Sequence, residues 1–230
     1  MERREFLEKT IAVGAGLMAV TARAREKTIP SDPGAAAAPA VTEAIALPPF
    51  EKTAAFPLEQ ALAQRRTSRN FAETPLSDEA LSRLLWAMTG ANRLNGHRTT
   101  PSAVAAYPVD VYIALPQGVY LFAPKEHRLD RVLAEDIRRE VPLQPGGLKR
   151  AAMIVVYVAD LKKVPGGESE VRYADLEIGC MVQNLYLQAA AMGLGACVFG
   201  LVRYENVAKK LGLKPSQLVR IAQAAGPLEG

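Results

Sequence analysis

The sequence predicts an α+β fold, and three stretches of the chain carry this prediction. Apolar and polar residues alternate over 109–115 and recur over 119–123 after a Pro-Gln-Gly turn, which indicates a β-hairpin. A continuous apolar run over 153–158 is typical of a central strand buried on both faces. The longest helical pattern, over 173–192, is apolar around most of its circumference, as in a core or interface helix. Strands cluster and helices intervene irregularly, which favours α+β over strict βαβ alternation.

Two helices are predicted before the hairpin. Pro57 suits the first position of a short helix whose apolar face comprises Leu58, Ala61 and Leu62. Ser77 is a favourable N-cap for a second helix, which ends at Gly90 and has apolar residues at 81, 84, 85 and 88.

Three further elements are predicted beyond the hairpin. We expect a strongly charged helix over 130–140, with His127 as a surface residue beside it. A strand over 197–200, a short helix over 205–211 that stops at Gly212, and a last strand over 218–222 complete the domain.

Composition limits the class of protein. The chain has 230 residues, of which 49% are hydrophobic and 23% charged, so it is long enough for a packed core and is not disordered as a whole. The formal net charge is +4 and acidic and basic residues are mixed along the chain, which argues against a nucleic-acid-binding protein. The two cysteines, Cys180 and Cys197, do not have metal-binding spacing. They are core thiols or, in an exported protein, a disulfide.

The first 24 residues are typical of a twin-arginine export signal. They contain paired arginines at positions 3 and 4, a short apolar run and an Ala-Arg-Ala site at 22–24. We therefore expect a periplasmic or otherwise exported protein that meets the membrane only through this leader. The alternative is an uncleaved leader that tethers the protein to the membrane.

Residues 25–56 are rich in alanine and proline and are expected to form an extended or disordered linker. The folded domain is then expected over residues 57–230.

A cluster of polar residues follows the first predicted helix: Arg65, Arg66, Thr67, Ser68 and Arg69. Arginine presents a planar fork of donors that matches phosphate oxygens, and hydroxyls fill the remaining acceptor positions. The cluster therefore indicates an anion-binding site, with a solvated basic surface as the alternative.

Several segments in order resemble one known family. They read RRTSRNF at 65–71, PSAVAAYPVDVY at 101–112, GVYLFAPKEHRL at 118–129, RYADLEIGCMVQNL at 172–185 and GLGACVFG at 193–200. This order resembles the nitroreductase-like flavoprotein family, and more closely its SagB-type dehydrogenase branch, over residues 57–227.

The resemblance implies a three-layer sandwich in which a mostly antiparallel, mixed sheet is flanked by helices. It also implies a domain-entwined homodimer with FMN bound in the dimer interface. The FMN phosphate and ribityl chain would be held by Arg65, Arg66, Thr67 and Arg69. The partner subunit would place Pro101, Ser102 and Ala103 beside the flavin, and Phe199 and Gly200 would lie near the isoalloxazine.

The residues themselves support part of this assignment. Charge-assisted donors suit a phosphate, and small residues at 102, 103 and 200 let backbone amides approach a flat ring and tune it. For Phe199 and Gly200 the alternative is a simple strand end in the core.

Two departures from the family pattern stand out. No lysine or arginine follows Arg220, where many members place basic residues that complete the phosphate site, so Arg203, Arg220 or Lys162 would have to substitute. Residues 164–172 also lack the Lys-Tyr pair of the azoline oxidases, so oxidation of an azoline is not expected.

Other polar residues have structural interpretations. Glu177 lies in the apolar helix and needs a partner, for which Arg172 or Tyr173 is available. Gln183 and Asn184 are expected to be buried and hydrogen-bonded, in a packing network or along the flavin pocket. No side chain is assigned as a catalytic acid, base or nucleophile, because the cofactor carries the redox chemistry in this family. No metal site is expected.

We therefore expect an FMN-dependent oxidoreductase that transfers hydride between flavin and a small organic substrate, with the electron donor or acceptor left open. The alternative is a non-catalytic flavin- or ligand-binding accessory protein on the same fold, which the missing basic residues after Arg220 motivate.

Overall fold

The computed structural model describes residues 43–52 and 56–230. The predicted leader and most of the predicted linker lie outside these residues. The described part contains seven strands and four α-helices. The strands are β1 Ala44–Ala46, β2 Val109–Leu115, β3 Gly118–Ala123, β4 Arg128–Leu133, β5 Met153–Asp160, β6 Gly195–Phe199 and β7 Gln217–Gly226. The helices are α1 Leu58–Gln64, α2 Asp78–Thr89, α3 Arg172–Ala191 and α4 Tyr204–Lys210.

The seven strands form one sheet in the order β1-β4-β3-β2-β5-β7-β6. Every pairing between these strands is antiparallel, including the predicted β2–β3 hairpin. Strand β5 lies near the centre between β2 and β7. Its side chains alternate between two buried clusters, with Met153, Val155, Tyr157 and Ala159 in one and Ile154, Val156 and Val158 in the other. The prediction of a strand buried on both faces is confirmed, because the residue period of two sends an all-apolar run to both sides.

Helices cover both faces of the sheet. Helices α2 and α3 contribute Leu84, Met88, Met181 and Leu185 to the first cluster. On the other face, α4 and the segment before β5 contribute Val207, Ile137, Val141 and Leu148 to the second. The predicted three-layer α+β sandwich is confirmed.

The helix ends follow their local sequence signals. The Ser77 hydroxyl accepts a hydrogen bond from the backbone N–H of Ala80 at 3.2 Å, and Gly90 caps the C-terminal end of α2, as predicted. Helix α3 ends just before Gly193, whose φ of 67° lies in the left-handed region that glycine adopts without steric cost. No helix among the described residues is long and apolar enough to cross a membrane.

The helix predicted over 130–140 is wrong. Its first part belongs to β4, which pairs with β3 on one side and β1 on the other. The charges that suggested a solvated helix are paired on the sheet, with Arg128 on Asp130 at 2.7 Å and Arg131 on Glu43 at 2.9 Å. Pairing with distant strands therefore overrides the local preference of a charged sequence.

The expectation that His127 is a surface residue is also wrong. This residue lies half-buried in the turn between β3 and β4, and its Nε2 is 2.7 Å from the hydroxyl oxygen of Ser82. Since that hydroxyl donates to the Pro48 carbonyl at 2.6 Å, its oxygen accepts from the Nε2–H of His127. The imidazole therefore ties the β3–β4 turn to α2.

The folded domain begins before residue 57, so the prediction of a linker over residues 25–56 is wrong for its last part. Strand β1 pairs with β4 over three residues, and the Phe50 ring packs edge-on against Trp86 at 5.6 Å between centroids. The short strand β1 covers the edge of β4, and the Phe50 ring packs on α2. These contacts attach residues 44–50 to the folded domain.

Candidate functional site

Residues 65–69, called the arginine segment below, lie along the outer edge of β6. The backbone N–H of Ser68 donates to the carbonyl of Ala196 at 2.9 Å, and Thr67 forms an isolated parallel bridge with the same residue. The segment thus follows α1 and adds a short parallel pairing to an otherwise antiparallel sheet. This pairing fixes the position of the arginine segment relative to the edge of the sheet.

Tyr186 on α3 holds the arginine segment in place. Its hydroxyl accepts the backbone N–H of Val198 at 2.8 Å and forms a hydrogen bond with the Thr67 hydroxyl at 3.1 Å. The Arg65 guanidinium lies 5.3 Å from the centre of the Tyr186 ring, within the range of a cation–π contact. One tyrosine therefore joins the helix, the edge strand and the segment.

A cavity of about 450 Å³ opens beside this segment. Arg65, Arg66 and Ser68 line its polar side. Its remaining walls come from α1, α3, β6 and the C-terminal residues, and include Tyr186, Ala190, Gly193, Leu194, Ala196 and Leu228. The volume lies within the range of roughly 300–1,000 Å³ that is typical of small-molecule sites.

The charge of the arginine segment is uncompensated within the described part of the chain. Arg65, Arg66 and Arg69 form no ion pair with any described carboxylate. By contrast, Arg220 forms a two-point ion pair with Asp175 at 2.8 and 2.9 Å. Three positive charges without a described carboxylate partner create a local positive potential that favours an external anion.

Arg69, at the end of the segment, lies against the backbone of Gly147 and near Cys197 on β6. An added Cβ at Gly147 would overlap the Arg69 carbonyl, so the backbones of 69 and 147 are in close contact. Burial raises the pKa of the Cys197 thiol on β6, and the nearby Arg69 charge opposes that rise. Cys180 and Cys197 are both free thiols.

Pro101, Ser102 and Ala103 lie away from this cavity and line a second one of about 340 Å³. Its other walls are side chains of α3, namely Tyr173, Leu176, Glu177 and Cys180. The two predicted groups of flavin-binding residues are thus not brought together within one chain.

The expectation that Arg172 or Tyr173 partners Glu177 is wrong. Glu177 is only 2% exposed, and neither of its carboxylate oxygens has a hydrogen-bond partner among the described residues. Arg172 instead pairs with Glu170 at 2.7 Å. Burial raises the pKa of the Glu177 carboxyl, while the Arg98 charge and the Ser102 hydroxyl, which lies nearby without the geometry of a hydrogen bond, act in the opposite direction.

Phe199 and Gly200 lie at the end of β6 and line neither of the two cavities. Phe199 is half-buried and Gly200 is exposed, with its carbonyl accepting from the Tyr204 hydroxyl at 2.6 Å. The proposed substitutes for the missing basic residues, Arg203, Arg220 and Lys162, do not line the cavity beside the arginine segment either.

The expectation that Gln183 and Asn184 are buried is wrong. Gln183 is exposed, and Asn184 is half-buried in the wall of a third cavity formed between α1, α2 and α3. The fully buried amide is Gln223 on β7, which accepts from the Tyr157 hydroxyl at 2.7 Å and donates to the Val182 carbonyl at 3.2 Å.

Sequence reasoning missed Tyr186 and Leu228 as parts of the site. A signal for Tyr186 exists, because a phenol on the buried face of an apolar helix requires a hydrogen-bond partner. No comparable signal marks Leu228, which reaches the cavity through the bridge between Phe71 and the C-terminal segment. The described residues contain no group of three or more His, Cys, Asp or Glu side chains that could hold a metal ion.

The family model of the nitroreductases matches residues 62–226, which span the arginine segment, all strands from β2 to β7 and every lining residue of the two cavities except Leu228. This chain belongs to the nitroreductase family. A protein of Methanocaldococcus jannaschii assigned as a nitroreductase is 31% identical over 183 residues, covering 74% of this chain and 89% of that protein.

Solved structures agree with the family assignment. A protein of Ralstonia eutropha assigned as a nitroreductase superposes with a TM-score of 0.74 at 31% identity, over 81% of this chain and 90% of the other. A protein of Desulfovibrio desulfuricans, solved in complex with FMN and also assigned as a nitroreductase, gives a TM-score of 0.54 at 24% identity, over 76% and 88% of the two chains. At that lower identity the second match supports the shared fold alone.

Proposed function

We propose that this nitroreductase-family protein is an FMN-dependent oxidoreductase that acts on a small organic substrate. The observation that carries the proposal is the arginine segment, whose three guanidiniums have no described carboxylate partner and two of which line a cavity of about 450 Å³. A phosphate group would supply the missing negative charge at this place.

The residues present fit FMN at this cavity. Arg65 and Arg66 would donate charge-assisted hydrogen bonds to the phosphate, with Ser68 and backbone amides adding neutral donors. The Thr67 hydroxyl is hydrogen-bonded to the Tyr186 hydroxyl, so Thr67 would act mainly by fixing the backbone of the segment. The apolar walls from Ala190, Leu194 and Leu228 suit the less polar parts of the cofactor.

A homodimer is part of the proposal, because Pro101, Ser102 and Ala103 line a separate cavity in one chain. In a dimer, these three residues of one subunit would lie beside the flavin of the other, with Phe199 and Gly200 near the isoalloxazine. Two exposed leucines on α1, Leu58 and Leu62, are consistent with an apolar surface that a second copy would cover. Light scattering of the purified protein should give twice the chain mass. The chain mass alone would contradict the dimer.

When bound, FMN supplies the acceptance and donation of hydride, and the protein supplies binding, orientation and electrostatics. The arginine segment would anchor the phosphate, and the small residues at 102 and 103 would allow a close backbone approach to the ring.

Within the family, the SagB-type dehydrogenases are the proposed nearest branch. Export by the twin-arginine route, or tethering by an uncleaved leader, remains the proposed location.

The direct test replaces Arg66, which is exposed and has no described ion-pair partner. Arg66→Ala is expected to weaken FMN binding about 10- to 100-fold, since hydrogen bonds to charged groups contribute roughly 1.5–3 kcal/mol. Its stability should change by no more than about 0.5 kcal/mol, because no internal contact is lost. Arg66→Lys should restore part of the affinity, since it keeps the charge without the planar fork.

Arg83→Ala is the control, because Arg83 lies on α2 outside the cavity and contacts Glu79 at 3.0 Å and the Phe50 ring, with its guanidinium 5.4 Å from the ring centre. FMN affinity measured by flavin fluorescence quenching should be unchanged in this variant. If Arg66→Ala binds FMN as the wild type does, the phosphate does not lie on the arginine segment. If the wild-type protein binds no FMN at all, the accessory-protein alternative replaces the oxidoreductase.

A further inference from the structure

Glu177 is a buried carboxylate in the wall of the 340 Å³ cavity, and the nearby Ser102 hydroxyl does not have the geometry to donate a hydrogen bond to it. Protein interiors rarely leave such a group unsatisfied, because its desolvation is not offset by any donor. An unsatisfied acceptor that lines a cavity is free to bind a donor that enters it.

The other lining groups define what can enter. Pro101, Ala103 and Leu176 present apolar surface, and the Tyr173 ring and Cys180 complete the wall. The Arg98 charge acts on the Glu177 carboxylate and offsets part of its negative potential. A neutral donor therefore fits better than a cation, because the carboxylate and the guanidinium together carry no net charge.

The residues that directly follow the lining loop 101–103 are held in an unusual backbone conformation. Val104, Ala105 and Tyr107 have φ values of 47°, 55° and 46°, in the left-handed region that side chains other than glycine rarely adopt. The Ser102 hydroxyl accepts the Tyr107 N–H at 2.8 Å, and the Tyr107 hydroxyl accepts the Arg98 N–H at 3.2 Å. Strain that persists at such positions is typical of a preorganised ligand site.

We propose that this cavity recognises the organic substrate, and that the substrate is a small neutral molecule with an apolar body and one O–H or N–H group that donates to Glu177. The proposal rests on the proposed function only for the flavin, since the loop 101–103 is the one expected beside it. Glu177 here is a substrate-recognition residue, and no bond is made or broken by it.

The test compares phenol with toluene, which have nearly the same shape but differ in the hydroxyl donor. Both are titrated by NMR into the purified full chain with its flavin, into Glu177→Leu and into Glu177→Gln. Phenol is expected to bind Glu177→Leu about tenfold more weakly than the wild type, the effect of losing one hydrogen bond to a charged acceptor. Toluene affinity should change by less than about threefold, since leucine keeps the apolar volume.

Glu177→Gln retains one acceptor oxygen and should lose less phenol affinity than Glu177→Leu. The control is Glu205→Gln, because Glu205 is exposed on α4, away from the cavity, and should leave both affinities unchanged. Equal losses for phenol and toluene, or wild-type affinity in Glu177→Leu, would overturn the proposal, as would a wild type that binds neither probe at millimolar concentration.

Flavin content read from the visible spectrum of each sample separates the two proposals. Phenol binding that depends on Glu177 in a protein without flavin would support the recognition site and contradict the proposed oxidoreductase. A flavin-loaded protein whose phenol binding does not depend on Glu177 would support the oxidoreductase and contradict the recognition site.

Discussion

Replacing Tyr186 with phenylalanine is expected to release the arginine segment from the sheet edge. The tyrosine hydroxyl makes two contacts that no other group replaces, with the Val198 N–H at 2.8 Å and the Thr67 hydroxyl at 3.1 Å. Phenylalanine keeps the ring, so the Arg65 cation–π contact and the packing of α3 persist. The substitution therefore isolates the role of one hydroxyl.

The size of the effect follows from burial. Tyr186 is 5% exposed, and without its hydroxyl the Val198 N–H on the outer edge of β6 loses its partner. Leaving a buried donor unsatisfied costs about 1–3 kcal/mol. For a domain of this size that corresponds to a fall in Tm of roughly 2–12 °C. FMN binding should weaken as well, because the phosphate-binding arginines are no longer held in one place.

Thermal unfolding followed by circular dichroism measures this effect, with Tyr204→Phe as the control. The Tyr204 hydroxyl likewise bonds to the backbone, donating to the Gly200 carbonyl at 2.6 Å, but Tyr204 is 41% exposed, so water can replace this contact. Its loss should change stability by no more than about 0.5 kcal/mol. Equal Tm shifts in the two variants, or a Tyr186→Phe protein with unchanged Tm and FMN affinity, would refute the assigned role of this hydroxyl.

Three further outcomes are expected. Burial and the Lys52 charge lower the pKa of His127, so between the two pKa values the folded state binds fewer protons than the unfolded chain. Stability should therefore fall as the pH drops from about 6.5 toward the lowered pKa. The variant His127→Leu should show a smaller dependence of Tm on pH over this range. Gly147→Ala should cost about 1–3 kcal/mol and weaken FMN binding, because the new Cβ overlaps the Arg69 carbonyl, as denaturant titrations would measure. Gly179→Ala, exposed on α3 with open space at its Cβ, should raise stability by about 0.5–1 kcal/mol in the same titration.

The parts of the fold that local signals determine could be predicted from the sequence. Ser77 and Gly90 bound α2 because a hydroxyl cap and a terminal glycine act within one turn. Strand β5 followed from an apolar run that only burial on both faces explains. These features depend on neighbouring residues alone.

The errors arose where contacts with distant residues decide the outcome. The charged residues of β4 suggested a helix because their partners, on β1 and β3, are not visible in the local pattern. His127 was expected on the surface because its hydrogen bond with Ser82 joins elements far apart in sequence.

The candidate site divides in the same way. The arginine segment was found because three guanidiniums and two hydroxyls within five residues carry their own chemical signal. Its attachment to β6 through Ala196 and Tyr186 depends on tertiary pairing and was not predicted. The unpaired state of Glu177 could not be predicted either, because Arg172 and Tyr173, one turn earlier on the same helix, were both candidate partners.

The most direct measurement is the visible absorption spectrum of the purified full chain, followed by extraction and identification of any bound cofactor. We expect a yellow protein that releases FMN, with close to one FMN per chain. A colourless protein that is folded and takes up no added FMN would contradict it, because the uncompensated arginines of residues 65–69 would then bind a different anion or none.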